Sequence, residues 1–286
     1  MATAGAPIEL AALTLILALV GGLFPIFSKI KENPETLRRI TGIASGILLA
    51  SALLVVVPEG FELATEEHEE AGHEEEAGHE EEGVGNLLIG GAVLAGFLVM
   101  LILEGSGIGH AVHEEHHDHH NEHGHEHVHH RNSPWIIVLG LSLHSAADGL
   151  AIGSAAAGTS EAVTALVALA VLIHKVPAAF SLGVFSMHER EDRNDTIRDI
   201  VMFSLATPVM IIVSFYALQG LDEQLIALAM LFAAGTFLYV ATVDTLPDIH
   251  NPETGKRAVM HVLMGVAILT LLLVSADAAG LLEHGH

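Results

Sequence analysis

The chain has 286 residues, 51% of them hydrophobic, with a mean hydropathy of +0.52 and a formal net charge of −24. The acids are densest in two short tracts, Glu62–Glu82 and Glu114–Glu126, and the acidic balance excludes nucleic acid as a partner, because phosphate binding needs clustered Lys and Arg. With no Cys, neither a disulfide framework nor a thiolate metal site can form.

A helix needs roughly 20 apolar residues to cross the hydrocarbon core of a bilayer. Met1–Leu10 lacks the positive region of a secretory signal, so the first apolar block reads as a retained helix. The apolar blocks predict an all-α, polytopic membrane protein with spans at about 8–28, 37–60, 84–106, 134–157, 161–187, 197–218, 224–246 and 258–282. The near-continuous stretch 134–187 is split at Ala157-Gly158-Thr159-Ser160-Glu161, since one helix of that length would overshoot the bilayer. Leu13–Gly22 and Gly265–Ser275 lack the polar stripe that a helix of a soluble protein shows.

Basic residues test this count. The connections after spans one, three, five and seven hold Lys29, Lys31, Arg38, Arg39, Arg131, Arg190, Arg193, Arg198, Lys256 and Arg257, which is ten of the eleven Lys and Arg. The other connections and the tails hold none. By the positive-inside rule the odd connections are cytoplasmic and both termini lie outside, as in a multi-pass cell membrane protein. The chain then reads as one transmembrane domain, 1–286, with an acidic, His-containing outer loop at 62–83 and a His-rich cytoplasmic loop at 108–132.

His110–His130 holds eleven histidines mixed with Glu and Asp. Imidazole and carboxylate suit zinc and similar divalent ions. No geometry is fixed there, so the tract is either a low-specificity binder or sensor, or a solvated linker with incidental metal affinity. The outer tract, with His68, His73 and His79, either concentrates cations near an entrance or is a solvated acidic loop.

Ionisable groups deep in a span are costly and point to a pathway or a binding site. In span four His144 and Asp148 stand four apart on one helix face, with Ser145 close to that face. In span five His174 is followed by Lys175, and Pro177 frees the carbonyl of Ile173. Two imidazoles and a carboxylate make a zinc shell with an open position, as a transported ion requires. Lys175 can pair with Asp148, pair with Asp244 in span seven, or snorkel. In span six Thr207-Pro208 frees the carbonyl of Ser204. Glu59 and Glu104, at the ends of spans two and three, either line a vestibule or are solvated.

His144-Ser-Ala-Ala-Asp148-Gly-Leu-Ala-Ile-Gly153, His174-Lys-Val-Pro-Ala-Ala-Phe180 and the run from Phe232 to Pro247 resemble motifs of the ZIP (Zrt-/Irt-like) family of metal transporters, a branch with Lys after the fifth-span His. The resemblance extends over essentially the whole chain. It implies uptake of a zinc-type ion toward the cytoplasm, with zinc as substrate and no catalytic cofactor. It also implies two metal sites between spans four and five: His144, Asp148 and His174 at the primary site, and Ser145 where the family often has an Asn ligand of the second. Lys175 stands in place of an acidic ligand, Ala178 of a bridging Glu or His, Thr207 of a Glu, and Leu48 of a Met. These departures predict one transported metal, with the Lys175 ammonium in the second cation's place.

Two other classes compete with a secondary transporter. A membrane metal sensor would signal through the His tract without flux. An intramembrane metalloenzyme would use the His and Asp groups to activate water, but no second carboxylate sits at general-base spacing and no HExxH is present. An enzyme is therefore not expected. A homodimer is compatible with the chain, and the ligand types do not separate zinc from iron, manganese, cobalt or cadmium.

Overall fold

A computed structural model describes residues 5–28, 34–71, 81–106, 134–190, 192–243, 249–250, 252 and 254–278. The His-rich tract, Asp244 and residues 72–80 of the acidic tract lie outside the described residues. The long helices are α1 (Gly5–Phe27), α2 (Pro34–Ser51), α3 (Val57–Ala71), α4 (Glu81–Gly105), α5 (Pro134–Gly158), α6 (Glu161–Glu189), α7 (Arg193–Leu218), α8 (Glu223–Val243) and α9 (Gly255–Ala278). A π-helical segment, Ala52–Val56, joins α2 to α3, so the two form one continuous rod and the described residues make eight spans. This is the all-α polytopic architecture that the apolar blocks predict. The second rod does not stop near Glu59; α3 runs on to Ala71.

Local chemistry sets the breaks. The side chain of Ser160, in extended conformation, accepts from the Val163 backbone N–H and caps α6, which makes the predicted division of 134–187 a true helix start. Asp192 caps α7 by accepting from the Asn194 N–H. Gly220 turns the chain from α7 into α8 at φ 79°, a left-handed conformation that favours glycine.

Seven of the eight spans are long and apolar enough to cross a membrane by length and composition. The eighth, α5, is 25 residues long, a length that also reaches across a bilayer. Helices α4 and α9 turn Leu87, Leu88, Ile102, Leu263, Leu271 and Val274 outward, an apolar surface too extensive for water and suited to hydrocarbon.

The helices pack as two sets. In one, α5 lies on α7, α1 on α6 and α7, and α6 on α7; in the other, α2 lies on α9, and α4 and α3 lie on α8. The sets meet chiefly through α5 against α8 and α2 against α6. Polar contacts gather at one end of the bundle. Arg190 pairs with the fully buried Asp199, Nε to Oδ2 2.8 Å. The Arg190 and Arg198 guanidiniums lie over the Trp135 ring at 5.2 and 4.2 Å. Arg193 lies over Phe27, and Arg257 pairs with Glu35. Every described Lys or Arg except Lys175 belongs to this basic end, as the span count requires.

Candidate metal site

The predicted site residues meet at mid-bundle. His144 and Asp148 are one turn apart on α5, and α6 brings His174 and Lys175 against them; all four are buried. Among the described residues, His144, Asp148 and His174 form the one group of three side chains that could hold a metal ion, with ligand atoms within 4.8 Å of one another. His174 Nε2 is 3.2 Å from Asp148 Oδ1, and His144 Nε2 is 3.7 Å from the same oxygen. Ligands about 2.0–2.1 Å from a tetrahedral zinc stand roughly 3.3 Å from one another, so these separations suit a shared ion.

The orientation of His174 is fixed by its other nitrogen. Nδ1 donates to the Ala170 carbonyl at 2.9 Å. A carbonyl only accepts, so this bond takes the Nδ1 proton and turns Nε2 toward Asp148. The Nε2–Oδ1 contact at 3.2 Å is one that either a proton or a metal ion bound by both atoms would hold. A backbone carbonyl that sets the tautomer of an imidazole is a recurrent support for metal-binding histidines. His144 Nδ1 is buried with no hydrogen-bond partner.

Lys175 resolves its three alternatives in favour of Asp148. Its Nζ donates to Asp148 Oδ2 at 2.9 Å and to the Ser145 hydroxyl at 2.5 Å, and lies 4.4 Å from the centre of the Phe203 ring. Ser145 and Thr207, both predicted near the site, are linked to each other. The Ser145 hydroxyl donates to the Phe203 carbonyl at 2.9 Å, and the Thr207 hydroxyl, also 2.9 Å away, donates to the Ser145 carbonyl at 2.7 Å. These bonds tie α5 to α7 directly behind the site. The approach is close because α5 presents Gly149 and Gly153 there: a Cβ on Gly149 would strike the Thr207 carbonyl, and one on Gly153 the Ser214 hydroxyl.

The two carboxylates at span ends stand apart from this group. Glu104 accepts from the Tyr239 hydroxyl at 2.8 Å, joining α4 to α8. Glu59 is half-buried on α3. Asp244 is outside the described residues.

A cavity of about 60 Å³ reaches His144 and His174, lined by Thr41, Ala44, Ser45 and Leu48 of α2, Leu141 of α5, Pro177, Ala178 and Ser181 of α6, and Val240 of α8. The lining from α5 precedes His144 and that from α6 follows His174, so the cavity lies on the basic-end side of the site. Leu48 and Ala178, where the resemblance places metal ligands, are apolar walls of it. Phe237 of α8 was not among the predicted site residues. It is fully buried, with ring centroids 6.3 Å from His144 and 5.9 Å from His174, both edge-on.

These features define an all-α membrane protein with a buried imidazole–carboxylate cluster, of a kind that could hold a metal ion, between two of its helices. The family model for the ZIP zinc transporter matches residues 5–132 and 105–273. The chain is similar to zinc transporter ZIP9 of Xenopus tropicalis, 33% identical over 265 residues, covering 82% of this chain and 84% of that protein. It is also similar to zinc transporter ZIP9-A of Xenopus laevis, 34% identical over the same length and coverage, and to zinc transporter ZIP1 of Takifugu rubripes, 30% identical over 145 residues, 48% of this chain and 46% of that protein. The chain belongs to the ZIP family of zinc transporters, which are transporters and not enzymes.

Proposed function

We propose that the chain moves one divalent cation at a time, zinc foremost, through a site made by His144, Asp148 and His174, and releases it into the cytoplasm at the basic end. The observation that carries this reading is the close approach of His174 Nε2 and Asp148 Oδ1, beside a cavity that reaches the two imidazoles from the basic end. Three ligands leave coordination positions for water, so the ion can depart. Both ligand-bearing helices belong to the same packed set, which supports movement of that set past α8 and α2 as the transport step. The one-sided basic residues support cytoplasmic odd connections and both termini outside.

Lys175 fills the position of a second cation. Its ammonium already occupies Asp148 Oδ2 and the Ser145 hydroxyl, the groups that a second metal would use. A homodimer and regulation by the His-rich loop are compatible with this reading.

Zinc uptake into proteoliposomes tests it, with purified protein carrying His144→Ala and Asp148→Ala. Flux should fall to that of empty vesicles, while deletion of 110–130 should leave basal flux in place. Zinc-soaked crystals should show one anomalous peak between α5 and α6. Undiminished flux in the double variant, or two fully occupied metals in the bundle, would sink the proposal.

A further inference from the structure

The two sides of the metal site differ in kind. Toward the basic end lie the cavity and the hydroxyls of Thr41, Ser45 and Ser181. Toward the opposite end the packing is apolar: Ile152 and Ala155 of α5, Val167 and Val171 of α6, and Met230 and Ala234 of α8 are all buried and belong to one hydrophobic cluster. Phe237 is the member of that cluster that touches the imidazoles. Its ring meets both His144 and His174 edge-on. Phe237 rides on α8, in the helix set that does not carry the ligands, so this triple contact exists only while the two sets stand in the arrangement seen here.

We propose that Phe237 is a positioning residue for transport: its ring closes the metal site on the side away from the cavity and latches the ligand-bearing helices in the cavity-open arrangement. This rests on the transport reading. For an ion to enter from the far side, the imidazoles must leave the ring. Two edge-on ring contacts together with the burial of a large side chain make that departure costly. Removing the ring therefore favours the opposite arrangement by about ten-fold in population, since it acts on one state and not the other. The chain lacks Cys, so a single introduced thiol reports without background.

The reporter is Ser181→Cys, on the cavity wall, in purified protein in detergent, labelled with a hydrophilic thiol reagent. Adding Phe237→Ala should slow labelling by about ten-fold. Phe237→Leu, which keeps apolar volume without the ring, should fall between. In proteoliposomes without the reporter, Phe237→Ala should lower KM and the maximal rate together, because the state that captures the ion gains population and the state that releases it loses population. Loss of folded protein would lower the rate alone, and loss of ligand support would raise KM. Labelling at the original rate in both variants, or a raised KM, overturns the proposal. Absence of flux in the unsubstituted protein would instead overturn the transport reading, and the labelling comparison would still report on Phe237.

Discussion

At the scale of single residues, the site is governed by a buried charge pair. Asp148 and Lys175 are fully buried and 2.9 Å apart. Breaking such a pair by removing one partner leaves an uncompensated charge and costs about 3–5 kcal/mol, whereas replacing both with apolar groups costs far less. Lys175→Met and Asp148→Leu should each lower the unfolding temperature in detergent sharply, and the double variant should recover most of the loss. An additive double variant would show that the two groups do not act as a pair. His144, Asp148 and His174 were legible in the sequence because ionisable groups stand out in apolar spans and a four-residue spacing puts two of them on one face. The partner of Lys175 was not, since Asp148 and Asp244 were equally open until α5 and α6 were packed together. Phe237 lies inside the Phe232–Pro247 run that resembles the family, but nothing singled it out there: an aromatic residue in an apolar run looks the same whether it faces lipid, core or a metal site.

At the scale of helices, fit depends on where a Cβ can go. Helix α5 meets α7 through Gly149 and Gly153, where an added methyl would strike backbone or hydroxyl oxygen. At Gly90 and Gly91 of α4 an added methyl would meet nothing within 4 Å. Gly153→Ala should therefore destabilise the fold and loosen the Ser145–Thr207 link, whereas Gly90→Ala should be neutral or add up to about 1 kcal/mol through helix propensity. Thermal unfolding monitored by circular dichroism separates the two; equal effects would contradict the packing described. Helix positions were legible from the length of the apolar runs, and the break at Ser160 from its Gly-Thr-Ser-Glu surroundings. The π segment Ala52-Leu53-Leu54-Val55-Val56 was not, because a π turn needs no Pro or Gly and leaves the hydropathy of the run unchanged. The continuation of α3 to Ala71 was likewise hidden, since a Glu-rich stretch reads as a solvated loop although Glu is a good helix former.

At the scale of the molecule, the proposed transport step moves one helix set past the other. Ile226 of α8 lies beside Gly158 of α5, its Cβ 3.3 Å from a Cβ built there, and this contact crosses between the sets. Gly42 of α2 and His261 of α9 are neighbours within one set, at 2.9 Å by the same measure. Both pairs are near disulfide reach after small adjustment. Oxidised Gly158→Cys/Ile226→Cys should stop zinc flux and recover it on reduction, while oxidised Gly42→Cys/His261→Cys should transport at its reduced rate. Equal behaviour of the two would remove relative motion of the sets from the mechanism. The one-sided basic residues gave an expected topology without any packing information. The grouping into sets was not, because every span is apolar enough to lie against any other.

Under the proposed transport reading, the Asp148–Lys175 pair also sets how the membrane potential acts on the cycle. Carboxylate and ammonium cancel, so the pair adds no net charge to the site, and a bound divalent ion adds +2. A charge crossing the field gains about 2.3 kcal/mol per 100 mV, so the loaded movement is driven by about 4.6 kcal/mol per 100 mV of interior-negative potential. The charge pair adds no such force to the return. On the proposed uptake reading, an interior-negative voltage should therefore speed delivery of the ion more than it opposes the reset, with a lysine serving as a counter-ion that never leaves.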